Sequence, residues 1–165
     1  MNSKMNTNKV IRSICYNAIV CALYVMLVFI FSFMSYEALQ LRIAEILIFL
    51  VLINKKYQIG LTLGCFIANI IGPLGLIDAI VGGTSTLIAC NLIHLCKKPW
   101  LMLIFLPLSN ILVGLEIAFI YALDFIPALI SILWIMLSEL IMASLALVIY
   151  YIFRKKNFMK FLGDI

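Results

Sequence analysis

The chain has 165 residues, of which 66% are hydrophobic and 12% are charged, and its mean hydropathy is +1.22. A soluble domain is about half apolar and about a quarter charged, and a chain this short cannot hide so much apolar surface from water. The composition therefore excludes a soluble enzyme, a disordered segment and a nucleic-acid-binding module, and it indicates an integral membrane protein.

Apolar stretches separated by charges and turn signals predict six membrane-spanning helices. The first stretch carries no charge, whereas the second is short and begins with Arg42 and Glu45. A kink is expected at Pro107 in the fifth helix. The predicted helices cover residues 14–35, 41–54, 57–72, 77–95, 100–122 and 127–153. The expected fold is a single domain, 1–165, that forms an all-α, six-transmembrane-helix bundle.

The basic residues predict the orientation of this bundle. Six crossings place eleven of the 12 Lys and Arg residues on one side, and only Arg42 on the other. Because basic residues concentrate in cytoplasmic loops, both termini are expected to be cytoplasmic. The first apolar stretch is too long for a signal peptide and no cleavage site follows it, so we expect an uncleaved first helix.

The acidic residues lie toward the opposite side of the membrane or within it. A charge at the centre of a membrane helix costs about 2.5–3.5 kcal/mol, so such residues face a cavity or a partner. Asp78, Glu116 and Glu139 have no basic partner within reach by sequence, which favours a functional role for them. Glu37 and Asp124 are instead interpreted as hydrated loop residues.

Arg42 and Glu45 are three residues apart and share a helix face, so two interpretations remain open. They either form a structural ion pair in the first outer loop or contact a ligand directly. Asn110 and Glu116 are six residues apart, about 120° around a straight helix, so at most one of them is expected to face the centre.

Small residues predict close helix contacts. Gly60, Gly64 and Ala68 recur every fourth residue in the third helix, and Ala79 and Gly83 are spaced in the same way in the fourth. The run 82–86 (GGTST) either lines a pocket with hydroxyl groups or forms such a helix contact. The five cysteines and the single His94 indicate neither disulfides nor a metal site.

The sequence contains no phosphate-binding loop of the G-x-x-x-x-G-K-[ST] type and no hydrolase motif. It therefore predicts a protein that is not an enzyme and that does not hydrolyse ATP itself. A six-helix unit with a binding pocket and no energy source is typical of a substrate-binding subunit of a larger assembly.

Residues 40–47 and 64–87 carry motifs that resemble those of the QueT family. Residues 40–47 (QLRIAEIL) are similar to its Q-x-R-[IV]-[SA]-E-A-L stretch in the first outer loop, and residues 64–87 (GCFIANIIGPLGLIDAIVGGTSTL) are similar to its G-C-x-[IL]-A-N…G…G-x-x-D-x-x-x-G-[ST]-x-[AS]-T-L run. The order and spacing of these motifs, together with the six predicted helices, extend the resemblance over most of the chain. Gly83 departs from the family pattern, which has Ser or Thr there.

The resemblance implies the substrate-binding S component of an energy-coupling factor (ECF) transporter in the bacterial cytoplasmic membrane. It implies as partners a transmembrane coupling subunit and two ATPase subunits, and as cargo a queuosine precursor, such as 7-aminomethyl-7-deazaguanine, or queuine. It also implies that the subunit topples in the membrane to deliver its ligand and that the face carrying Ala18 and Ala22 docks the coupling subunit.

A pocket of carboxylates and amides suits this cargo. One carboxylate can accept the ring N–H and the exocyclic amine of a deazaguanine, and another can neutralise its aminomethyl group. The candidate ligand-binding residues are Gln40, Arg42, Glu45, Asn69, Asp78, Asn110, Glu116 and Glu139.

Two other classes of function compete with this one. The chain could be a stand-alone ion-coupled secondary transporter of a small cationic or nucleobase-like solute, in which the acids relay protons. It could also be an assembly protein whose buried acids pair with basic residues of a partner.

Overall fold

The computed structural model describes residues 2–35 and 41–155, and the regular elements within these ranges are all helical. In chain order they are α1 (Asn2–Ile30), α2 (Ser32–Ser35), a 3₁₀ helix (Ile43–Phe49) that continues as α3 (Leu50–Ile53), α4 (Tyr57–Ile71), α5 (Leu76–Cys96), a 3₁₀ turn (Pro99–Leu101) that continues as α6 (Met102–Ser109), α7 (Ile111–Ile120) and α8 (Phe125–Lys155). The expected all-α class is confirmed for this part of the chain.

Four helical segments are long and apolar enough to cross a membrane: Thr7–Ile30, Leu76–Cys96, Pro99–Ile120 and Phe125–Arg154. Two shorter apolar segments, Ile43–Ile53 and Tyr57–Ile71, lie between them in the chain. At the rise of helical residues these two are each only ~20 Å long, which is less than the ~30 Å of a bilayer core.

The distribution of side chains is inverted relative to a soluble protein. Apolar residues such as Phe119, Phe125 and Leu95 are 87%, 82% and 72% exposed, whereas Arg42 and Glu139 are only 4% and 3% exposed. In water this arrangement would expose the apolar surface and strip the charges of solvent. It fits a helical assembly whose outer surface faces lipid.

Helices α1 and α4 approach each other closely through small residues. The backbone N–H of Gly60 donates to Asn17 Oδ1 over 2.7 Å. A Cβ atom at Gly60 would lie 2.6 Å from the Asn17 carbonyl oxygen, and one at Gly64 would lie 2.7 Å from Tyr24 Cβ. Distances this short exclude a larger side chain, so the contact predicted for the Gly60 and Gly64 face is confirmed and its partner is α1.

A tight turn joins α4 to α5. Gly75 precedes α5 with φ of 64°, a left-handed conformation that glycine adopts without steric cost. Its N–H donates to the Gly72 carbonyl over 3.2 Å, and its own carbonyl accepts the first N–H of the next turn, from Ala79, over 3.1 Å. The turn therefore starts α5 close beside the end of α4.

The fifth predicted helix is interrupted. Helix α6 ends at Ser109 and α7 begins at Ile111, so the break at Asn110 lies three residues beyond the predicted kink at Pro107. Asn110 lies between them with φ of −80° and ψ of 0°. Since Pro107 lacks a backbone N–H, the hydrogen-bond ladder is already weakened before this break. Helix α5 packs against α4, α6 and α7, and α8 packs against α6, α7 and the 3₁₀ helix.

Candidate functional site

An ion pair between Arg42 and Asp78 joins the start of the 3₁₀ helix to the first turn of α5. Arg42 Nη2 donates to Asp78 Oδ1 over 3.2 Å and to Oδ2 over 3.4 Å, and both residues are buried. The sequence-based expectation that Asp78 has no basic partner is therefore wrong. The two residues are 36 positions apart, which a helical repeat cannot reveal.

Asn69, near the end of α4, also binds Asp78. Its Nδ2 donates to the Asp78 backbone carbonyl over 3.0 Å and to Asp78 Oδ1 over 3.3 Å. The Cys65 sulfur, one helical turn earlier, lies 3.7 Å from Asn69 Nδ2 and 4.0 Å from Arg42 Nη1. Arg42, Asn69 and Asp78 thus form one connected polar cluster between α4 and α5.

Gly82 makes room for this cluster, since it lies one turn after Asp78 on the same face of α5. A Cβ atom there would overlap Asn69 Nδ2 and would lie 3.2 Å from Arg42 Nη1. Gly83 has no such constraint, because its nearest neighbour, Phe66 Cδ2, would lie 3.5 Å away. The first glycine of the 82–86 run is therefore required by the buried guanidinium and amide.

Glu45 binds hydroxyl groups rather than Arg42. Tyr24 Oη donates to Glu45 Oε1 over 2.6 Å, and Thr86 Oγ1 donates to the same oxygen over 3.4 Å. Of the two interpretations left open for Arg42 and Glu45, the structure does not contain the direct ion pair between them, since Arg42 pairs with Asp78. Arg42 precedes the 3₁₀ helix with φ of −83° and ψ of 86°, so it does not share the helical face that holds Glu45.

Asn110, at the break between α6 and α7, and Glu116, within α7, are both buried. Asn110 Oδ1 accepts a hydrogen bond from Ser85 Oγ over 2.6 Å, and Asn110 and Glu116 are 4% and 7% exposed. Low exposure shows that each side chain packs against neighbouring helices, and the expectation that at most one of the two faces the centre of the bundle stays a prediction.

Two acids carry buried oxygens without a hydrogen-bond donor in the described part of the chain. These atoms are Oε1 and Oε2 of Glu116 and Oε2 of Glu139. Glu116 lies within electrostatic range of Asp78 and Arg42, and Glu139 lies within range of Glu45 and Arg42. Buried carboxylates are normally hydrogen-bonded, so these atoms mark a place where a donor is missing.

The polar interior therefore combines four acids with one guanidinium among the described residues. Glu45, Asp78, Glu116 and Glu139 come from the 3₁₀ helix, α5, α7 and α8, and each of them interacts with Arg42. The structure thus brings seven predicted residues into the buried interior: Arg42, Glu45, Asn69, Asp78, Asn110, Glu116 and Glu139.

The remaining predicted residues lie elsewhere. Ala18 and Ala22 are exposed on α1, and Asp124 is exposed before α8, as expected for a hydrated loop residue. Gln40 and Glu37 lie outside the described residues.

Sequence reasoning missed Tyr24, although the signal was present. A tyrosine hydroxyl within a long apolar helix needs a hydrogen-bond partner, and here that partner is Glu45. Ser85 and Thr86 were weighed only as part of the GGTST run, and both hydroxyls contact predicted site residues. Both hydroxyl groups therefore lie among the buried polar side chains, and the pocket-lining interpretation of that run stays a prediction.

A comparison with known protein families shows to which family the chain belongs. Residues 14–155, most of its length, match the family described as QueT transporter. The chain belongs to the QueT transporter family. As a member of a transporter family with four helices able to cross a membrane, it is a multi-pass membrane protein and not an enzyme.

A curated relative supports membership in the QueT family. The protein named Queuosine precursor transporter QueT from Lactococcus lactis subsp. cremoris (strain MG1363) is 46% identical over 77 residues. The matched segment covers 46% of this chain and 45% of the relative, so the chain aligns with less than half of that protein's length. No solved structure matches the chain.

Proposed function

We propose that this QueT-family protein is the substrate-binding S component of an ECF-type importer, and that it captures a queuosine precursor outside the cell. The observation that carries the proposal is the set of buried carboxylate oxygens on Glu116 and Glu139 that lack a donor. A ligand with several N–H groups would supply the missing hydrogen bonds. The name of the Lactococcus lactis relative supports a queuosine precursor as that ligand.

The proposed site has a structural part and a ligand-binding part. Arg42, Asn69 and Asp78 satisfy one another and would form one wall of the pocket. Glu116 and Glu139, with unpartnered oxygens, would contact the ligand directly. Glu45, Asn110 and Gln40 complete the proposed set. A precursor such as 7-aminomethyl-7-deazaguanine or queuine combines a planar N–H edge with a cationic amine, which suits this surplus of acids.

We propose that the chain is one domain that crosses the membrane six times with both termini in the cytoplasm. The short segments Ile43–Ile53 and Tyr57–Ile71 would be the second and third crossings, since a bilayer accommodates short hydrophobic segments by thinning locally. The distribution of Lys and Arg between the two sides supports this orientation.

In the proposed assembly, a transmembrane coupling subunit and two ATPase subunits bind this protein and supply the energy for import. Ala18 and Ala22 lie one turn apart on the exposed side of α1. Small exposed residues on a membrane helix allow a partner helix to approach closely, so this face is the proposed docking surface.

Ligand binding is the first test of the proposal. Purified protein in lipid nanodiscs is titrated calorimetrically with 7-aminomethyl-7-deazaguanine and with adenine as a control. We expect saturable binding of the precursor alone, weakened by Asp78→Asn and by Glu139→Gln. Unchanged affinity in both variants would reject the site, and absence of binding by the wild type would reject the function.

Uptake assays distinguish the proposed function from the alternative of a stand-alone transporter. Cells that express the protein with the coupling module are expected to accumulate the precursor only when the ATPases hydrolyse ATP. Accumulation by protein-only liposomes under a proton or sodium gradient would instead support a stand-alone ion-coupled secondary transporter.

A further inference from the structure

The two acids that lack donors do not offer the same chemistry. Both carboxylate oxygens of Glu116 are buried and unpartnered, whereas the unpartnered buried atom of Glu139 is Oε2. Glu116 and Glu139 are 7% and 3% exposed, so the described structure provides neither bulk water nor a protein donor for these oxygens. A ligand that satisfies both residues must therefore present a different set of donors to each of them.

A carboxylate with two free oxygens is suited to a pair of parallel N–H bonds. Such a pair is presented by a planar heterocycle whose ring N–H lies next to an exocyclic amine. Glu116 meets this requirement with Oε1 and Oε2. On Glu139 the fully buried oxygen without a donor is Oε2, and one such oxygen is suited to one N–H donor, of which the strongest is a cationic amine.

The surroundings of the two acids support the same division. The acid within electrostatic range of Glu116 is Asp78, which pairs with Arg42 over 3.2 Å. The acid within electrostatic range of Glu139 is Glu45, whose hydrogen bonds in the described chain come from the neutral hydroxyls of Tyr24 and Thr86. The Glu139 end of the site therefore carries more uncompensated negative charge than the Glu116 end, and a ligand cation is stabilised there.

We infer that Glu116 reads the planar N–H edge of the ligand with both oxygens, and that Glu139, with Glu45 beside it, is the counter-ion of the ligand's amine. This inference rests on the proposed function and deepens it, because it fixes how the ligand lies between α7 and α8. The edge faces α7, and the aminomethyl group faces α8 and the 3₁₀ helix.

Three ligands and two isosteric variants test the division. The ligands are 7-aminomethyl-7-deazaguanine, its 7-cyano analogue without the cation, and 7-aminomethyl-7-deazahypoxanthine without the exocyclic amine. Affinities are measured for the wild type, Glu116→Gln and Glu139→Gln. Asp124→Asn removes an exposed acid and serves as the matched control.

The wild type is expected to prefer the full ligand over each analogue by about 10- to 100-fold. Glu116→Gln should abolish the preference for the exocyclic amine and keep the preference for the cation. Glu139→Gln should do the reverse, and Asp124→Asn should change neither. Since each effect is a ratio between two ligands on the same variant, a general loss of stability does not imitate it.

The outcomes separate the inference from the proposed function. Equal losses for all three ligands in both variants, or an exchange of the two patterns, would overturn the inference while the precursor still binds. If the wild type binds none of the ligands, both the inference and the proposed function fail. If Glu116→Gln does not stay monodisperse, Glu116→Asp is used, and a full preference for the exocyclic amine in that shortened acid would also overturn the inference.

Discussion

Arg42 Nη2 lies 3.2 Å from Asp78 Oδ1, in an ion pair whose side chains are only 5% and 2% exposed. The pair joins the segment before the 3₁₀ helix to the first turn of α5, and Asn69 extends it to α4. Because Arg42 is the one cation in the described interior, its partner determines which acids are left for other donors. The pairing with Asp78 leaves Glu116 and Glu139 unsatisfied.

Asp78→Asn should lower stability, because it leaves the Arg42 guanidinium buried with no counter-ion in direct contact. Removal of one partner from a buried ion pair costs about 3–5 kcal/mol. Glu116→Gln removes a charge that has no partner and should leave the melting temperature unchanged or higher. Thermal unfolding of both variants in detergent measures this contrast. An equal drop in melting temperature for the two variants would show that Glu116 is held by the protein itself.

Gly82→Ala should destabilise the protein, whereas Gly83→Ala should be tolerated. The new methyl group at position 82 would meet Asn69 and Arg42, and the one at position 83 would meet Phe66 at an ordinary 3.5 Å. Overpacking of this kind costs about 1–3 kcal/mol. Melting temperature and precursor affinity of the two matched variants provide the measurement, and similar values for both would contradict the role assigned to Gly82.

Tyr24→Phe should lower the stability of the protein, because it removes a hydrogen bond to the Glu45 carboxylate. The substitution deletes the hydroxyl that donates to Glu45 Oε1 over 2.6 Å, and a hydrogen bond to a charged group contributes about 1.5–3 kcal/mol. Tyr151→Phe, at a residue 48% exposed on α8, is the control and should change little. Thermal unfolding compares the melting temperatures of the two variants. A melting temperature for Tyr24→Phe no lower than that for Tyr151→Phe would show that the Tyr24–Glu45 hydrogen bond does not stabilise the protein.

Ala18→Trp combined with Ala22→Trp should abolish uptake without loss of ligand binding. Both residues are exposed on α1, away from the buried acids, so bulk there blocks a partner helix only. Affinity for the precursor should stay within about twofold of wild type. Val148→Trp on the exposed face of α8 is the control and should preserve uptake. Wild-type uptake by the double variant would exclude this docking surface.

The sequence predicts the class of this protein well because membrane composition and isolated acids are strong local signals. Asp78, Glu116 and Glu139 are conspicuous in otherwise apolar helices, and all three are buried. The small-residue spacing of Gly60 and Gly64 likewise predicts a close contact that the α1–α4 interface contains. Each of these inferences needs only neighbouring positions in one helix.

The pairing inside the site could not be predicted in the same way. Spacing rules relate residues of one regular helix, and Arg42 lies just outside the 3₁₀ helix with a non-helical ψ of 86°. Its partner Asp78 is 36 positions away. Similarly, the spacing of Asn110 and Glu116 does not show that both are buried, since burial depends on the helices that pack against α7.

The two hydrogen bonds from Asn69 to Asp78 also restrict the movement of the corner between α4 and α5. One amide holds both the backbone and the side chain of the first turn of α5, next to the turn that ends at Gly75. The α4–α5 corner is therefore stiff. Loss of the Asn69 amide would therefore release a main-chain carbonyl and a carboxylate oxygen at once, at the point where α5 begins.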